Sequence, residues 1–153
     1  MATPAQFAKR FRRIALGVVD GAARSARNSA IGVIQTVTRA NPVLTMFSQS
    51  NWIANIGSAD LSVRPIRPRT EVIAEARTSL SLGKIKSEIF SRDLVEIHIA
   101  NGGEKVPYLG KLNRGSSTKA PAGFVEEALR TGAAGPLSKT KLLRVKGSSA
   151  VGF

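Results

Sequence analysis

One histidine, ten carboxylates and twenty-three Lys and Arg side chains carry the titratable chemistry of this chain, which has no cysteine. Disulfides, thiolate nucleophiles and Cys-based zinc sites are excluded at once. His98 alternates with Glu96 in a strand-like run, a pairing in which a carboxylate orients an imidazole for proton transfer. No nucleophile or second carboxylate is spaced to use that proton, so a structural or surface histidine is favoured over a small hydrolase. Glu126 and Glu127 are adjacent, and helical neighbours point in different directions, so they are not an acid–base pair. Asn101-Gly102-Gly103 and Gly115-Ser116-Ser117 lack the GxxxxGK(S/T) and GxGxxG spacings that cradle phosphates and read as turns. No HxxxH, DxD or HExxH pattern occurs, so neither a metal nor a cofactor is expected. Nucleic-acid modules that stack bases need aromatics interleaved with basic residues, and aromatics are only 5% here. Any nucleic-acid contact would be electrostatic and salt-dependent.

Charge is the unusual quantity, at +13, and its placement matters more than its size. Residues 1–40 hold seven basic side chains and one acid, residues 41–104 seven of each, and residues 105–153 nine basic and two acidic. Two basic ends thus flank a neutral middle, which suits a polyanionic partner or an acidic neighbouring surface. The 153 residues make one domain with room for one core. No stretch reaches the roughly 18–20 apolar residues of a membrane span. The run Ile14 to Val19 is shorter than a secretory signal requires, and a basic, acid-poor presequence is the weaker reading of that segment.

These residues need elements to position them. Thr3-Pro4 has helix-start chemistry, and Phe7, Phe11, Ile14 and Val18 follow at helical spacing. The same face continues through Ala22, Ser25, Ser29, Val33 and Val37, turning small in its middle so that another backbone can approach. Lys9, Arg10, Arg12 and Arg13 occupy other sectors. The helix runs from about residue 4 to 40, with Gly32 as a point where it could kink or break, and Asn41-Pro42 ends it. A helix of that length exceeds what one small globule covers, which hints at an oligomer. Residues 43–51 read as a loop anchored by Met46 and Phe47, Trp52 to Ile56 as a strand, and Leu61 to Arg69 as a loop or edge strand. Thr70 caps a second helix with Ile73, Ala76 and Leu80 inward and Gly83 at its exit. Leu94 to Ala100 alternates as a strand. Pro107 opens a short helix stopped at Gly115. Ala120-Pro121 opens another, with Phe124, Val125, Ala128 and Leu129 inward and Gly132 after it. The fold class is α+β: a long N-terminal helix and a second helix packed on a small, mostly antiparallel sheet, with a helical corner. Residues 1–131 form the domain and 132–153 a basic C-terminal arm.

The segment Val106 to Leu129, VPYLGKLNRGSSTKAPAGFVEEAL, resembles the signature of a neck and tail-completion family of long-tailed bacteriophages that includes minor tail proteins of the Z type. The matching residues are Asn101, Pro107, Tyr108, Leu109, Leu112, Asn113, Gly115, Ser117, Lys119, Ala120, Pro121, Gly123, Phe124 and Val125. Upstream, Asn41-Pro42-Val43, Thr45 and Asn51-Trp52 match in part. Leu44 and Met46 stand where the family has Asp and Gly, and Gly132, Gly135 and Pro136 interrupt a helix that the family often continues.

The resemblance implies a structural virion protein without catalysis. Its place would be a ring at the head–tail junction, hexameric by first expectation and dodecameric as the alternative, assembled in the host cytoplasm. Partners would be head-completion or connector proteins and tail tube proteins, with transient contact to packaged DNA and no membrane. Phe7, Phe11, Ile14 and Val18, with Leu142, Leu143 and Val145, are the expected subunit contacts. Lys9, Arg10, Arg12, Arg13, Lys139, Lys141, Arg144 and Lys146 would meet acidic protein surfaces or DNA. The alternative, from charge alone, is a nonspecific nucleic-acid-binding protein.

Overall fold

The computed structural model describes residues 3–41, 46–92, 94–102, 113–115 and 122–139, the last six of these by backbone only. The chain is α+β, with a long N-terminal helix and a two-stranded antiparallel sheet. Helix α1 spans Pro4–Ala40 without interruption, 37 residues and about 55 Å at 1.5 Å per residue. Its start is a capping box: Thr3 Oγ1 accepts the Gln6 N–H at 3.3 Å while Gln6 Oε1 accepts the Thr3 N–H at 2.9 Å. No break occurs at Gly32.

A short helix α2 (Phe47–Ser50) leads into strand β1 (Trp52–Ile56). Helices α3 (Arg69–Ser79) and α4 (Leu82–Arg92) follow, then strand β2 (Ile97–Asn101) and helix α5 (Phe124–Lys139). β1 and β2 pair antiparallel, with Trp52 opposite Asn101 and Ile56 opposite Ile97. The core joins Ala23, Ala30, Ile34 and Val37 of α1 to Trp52, Val72, Ala76, Leu80, Ile85, Phe124 and Ala128.

Several local expectations change. Of the expected loop 43–51, the described part 46–51 contains helix α2 and is anchored by polar side chains, since Ser48, Gln49, Ser50 and Asn51 are buried while Met46 and Phe47 are only half-buried. Thr70 does not cap α3; the N-cap is Pro68, which makes no side-chain bond, and Thr70 lies inside the helix. Gly83 is inside α4, an element not anticipated, because α3 already ends at Ser79. β2 begins at Ile97 rather than Leu94, which is exposed. Leu129 faces outward. Helix α5 runs through Gly132 to Lys139 instead of stopping, because Gly132 is buried in a helix crossing where glycine is required.

That crossing is with α1. A Cβ on Gly132 would stand 2.7 Å from the Gly32 carbonyl oxygen and from Val33 N and Cα. The close backbone approach is therefore at Gly32 and Val33, where the sequence suggested a weak point in the helix rather than a crossing. Phe124 lies by Thr36 and Ala40 while Gly132 meets Gly32, so α5 runs antiparallel to α1.

Polar bonds lock the other side. Asp20 is held by Arg24 at 2.7 Å and by Lys86, pinning α4 to α1. Arg27 donates to the Leu80 carbonyl at 2.8 Å and the Arg77 carbonyl at 3.3 Å, a cation on the C-terminal end of α3. Arg64 and Arg67 both bond Glu75, and Arg64 also reaches Asp60 at 3.3 Å, which straps the 57–68 segment onto α3.

Candidate functional site

The first candidate surface is the N-terminal half of α1. Phe7, Phe11, Ile14 and Val18 are 68%, 64%, 59% and 38% exposed. The two phenylalanine rings stack on each other, with centroids 6.5 Å apart and planes 20° from parallel. At 3.6 residues per turn these four side chains share an arc of about 60°. Ala23, Ala30, Ile34 and Val37, which α1 gives to the core, centre about 150° away. The stripe thus turns away from the sheet, and Val37 belongs to the core face rather than to the stripe. It continues the azimuth of Gly32, Thr36 and Ala40, which α5 covers in the other half of the helix. Ala22, Ser25 and Ser29 between them are half-buried.

Lys9, Arg10, Arg12 and Arg13 are all exposed, and no acid lies on α1 before Asp20. None of the four makes an ion pair among the described residues. Arg10 borders the apolar arc, and the others take the remaining circumference. The result is an amphipathic rod end with an uncovered apolar side and a cationic side.

The second candidate is the corner that leads into α5. The Asn113 carbonyl accepts the Gly123 N–H at 2.7 Å, and its side-chain Oδ1 accepts the Val125 N–H at 3.0 Å, a cap delivered from outside the helix. Its Nδ2 donates to both Glu126 carboxylate oxygens, at 3.0 and 2.9 Å. That hydrogen bond is the main cause holding the Glu126 carboxyl below its ordinary range. Gly115 and Gly123 have φ of +87° and +74°, backbone that L side chains rarely adopt. Asn113, Gly115, Gly123 and Phe124 therefore each have a structural reason to be the residue they are. Phe124 is buried in the core under the corner.

Between the C-terminal end of α1 and the first turns of α5 lies an open groove of about 450 Å³. Ala40, Ala122, Phe124 and Ala128 supply its apolar lining, and Glu126, Glu127 and Arg130 stand at it. Arg130 bonds Glu127 at 2.6 Å, while Glu126 has no cationic partner among the described residues.

Sequence reasoning missed the buried polar layer beneath the sheet. Gln49 Nε2 donates to the Thr38 carbonyl at 2.7 Å, and Asn101 Nδ2 to the Ser48 carbonyl at 2.8 Å. Asn51 Nδ2 donates to the Phe47 carbonyl and its Oδ1 accepts the Arg64 N–H, both at 2.7 Å. The signal was present in the Ser-Gln-Ser-Asn run, whose amide and hydroxyl groups compete for backbone partners. His98 is partly exposed with Nε2 3.5 Å from Glu96, and the pair does not sit at the groove. Among the described residues no cluster of three or more acids and histidines could hold a metal ion, and no helix is long and apolar enough to cross a membrane.

Pro107, Tyr108, Leu112, Lys119, Pro121, Lys141, Leu142, Leu143, Arg144, Val145 and Lys146 lie outside the described residues, and Lys139 is described by backbone only. No family model, curated protein or solved structure matches the chain.

Proposed function

We propose that this chain is a structural subunit of a phage head–tail junction, a neck or tail-completion protein that joins the head connector to the tail tube as a closed ring. The observation that carries the reading is the uncovered half of α1. An apolar stripe with two stacked phenylalanines, on a rod that the subunit's own core does not reach, is a surface built to be covered. The resemblance over Val106 to Leu129 supplies the kind of assembly. It is supported by the roles of its matching residues: Asn113 caps α5, Gly115 and Gly123 take left-handed backbone, and Asn51 and Asn101 are buried and hydrogen-bonded.

In this reading the work is surface matching rather than chemistry. Apolar helix faces are buried between neighbours, and the cationic sector meets an acidic connector or tube surface or the passing DNA. Native mass spectrometry of the purified protein tests it. A discrete closed oligomer, hexamer or dodecamer, is expected, and a strict monomer at all concentrations contradicts it.

The unpaired cations on α1 favour one second reading, a nonspecific nucleic-acid binder. Duplex DNA titrated at several salt concentrations separates the two. Tight binding at physiological salt with a steep log–log slope belongs to the second reading, and weak binding that salt readily abolishes belongs to the first.

A further inference from the structure

We infer that the ring contact is heterologous: the Phe7–Phe11 end of α1 on one copy seats in the groove between α1 and α5 on the next copy. This rests on the ring reading above and names its two surfaces.

The alternative use of the stripe is a symmetric pairing of two α1 helices, and charge opposes it. Residues 1–40 carry seven cations against Asp20 alone, and Asp20 is already held by Arg24 and Lys86. Two such rods side by side would set cation against cation along their length. A symmetric pair would also close as a dimer, whereas a head-to-tail contact repeats around a ring.

The surface that receives the stripe needs an apolar floor and carboxylates at its edge. Most described carboxylates are spent within the subunit: Asp20, Asp60, Glu75, Glu88 and Glu127 each lie within ion-pair distance of an Arg or Lys. Glu126 is not, yet Asn113 fixes it with both oxygens engaged and its charge uncancelled. It stands at the groove between α1 and α5, whose apolar lining is alanine and phenylalanine carbon. The groove volume of about 450 Å³ admits aromatic side chains. It lies at the end of α1 opposite to the stripe, which is the separation that a head-to-tail repeat requires. With Phe7 and Phe11 in the groove, Arg10 at the border of the stripe comes to Glu126 and Glu127.

Two exposed substitutions test this with the full-length protein. Phe11→Asp spoils the inserted surface, and Ala122→Arg places a cation in the mouth of the receiving groove. Circular dichroism establishes that both fold. Each variant alone is expected to be monomeric by native mass spectrometry. Mixed, they are expected to give a one-to-one dimer and nothing larger, because only the intact stripe of the Ala122→Arg chain and the intact groove of the Phe11→Asp chain remain to meet. Glu127→Arg, a change outside the core, should act as Ala122→Arg does. Retention of the wild-type ring by Ala122→Arg and Glu127→Arg overturns the inference while leaving the ring reading standing. Self-association of Ala122→Arg into dimers, lost on adding Phe11→Asp, overturns it in favour of α1–α1 pairing. A wild-type protein that is monomeric throughout removes the ring reading and this contact together.

Discussion

Replacing Gly132 by Ala tests the helix crossing that holds α5 against α1. The added Cβ would lie 2.7 Å from the Gly32 carbonyl oxygen and from Val33 N and Cα. Non-bonded contacts to carbon are comfortable at roughly 3.5 Å, so α5 must retreat by about 0.8 Å. Every close atom is backbone, and none can swing aside as a side-chain tip would. The cost is therefore at the upper end of overpacking, about 3 kcal/mol, offset by about 1 kcal/mol of helix propensity gained on leaving glycine. The expected net loss is about 2 kcal/mol, or a fall in Tm of about 4–8 °C for a chain of this length. Gly17 supplies the control, since nothing lies within 4 Å of a Cβ placed there. Gly17→Ala should gain about 0.5–1 kcal/mol. Urea denaturation followed by far-UV circular dichroism measures both. If Gly132→Ala stabilises as Gly17→Ala does, the close crossing is not as described.

Asn113→Ala removes the cap on α5 and is expected to cost about 1 kcal/mol in urea denaturation; no change would show that the Val125 N–H is satisfied without it. Burial raises the Glu75 carboxyl, but hydrogen bonds and charge from Arg64 and Arg67 outweigh it, leaving a net value below the ordinary 4.5. Because the folded value is depressed, this stabilisation is present above about pH 4.5 and is lost as pH falls through the folded value. Glu75→Gln should therefore lower stability at pH 7 and flatten its decline in acid, read from urea midpoints across that range. A Glu75→Gln protein with the wild-type acid profile would show that the Arg64–Glu75–Arg67 strap contributes nothing.

Legibility followed locality. The helix start at Thr3-Pro4, the strand Trp52–Ile56 and the inward positions Ala76, Leu80, Phe124 and Ala128 depend on neighbours within a few residues and were readable. The stripe Phe7, Phe11, Ile14 and Val18 was readable as a helical face, but periodicity does not say which apolar face a core takes. The core took the other one, because α3, α4 and the sheet pack around Ala23, Ala30 and Ile34. Gly132 read as a stop because glycine weakens helices, whereas here it is the residue that lets two backbones touch. Thr70 read as a cap because its hydroxyl suits one, but the strap formed by Arg64 and Arg67 brings the chain into α3 two residues earlier, with Pro68 at the N-cap. The groove was not legible, since it joins residues near 40 to residues near 125.

The measurement that bears most directly on the proposed role is electron microscopy of tail tubes prepared from an infection that lacks this protein, imaged before and after the purified chain is added. The account predicts a ring of one defined rotational symmetry capping a single end of each tube, and no ring after addition of Phe11→Asp. Tubes that stay bare while the added protein remains dispersed would contradict it.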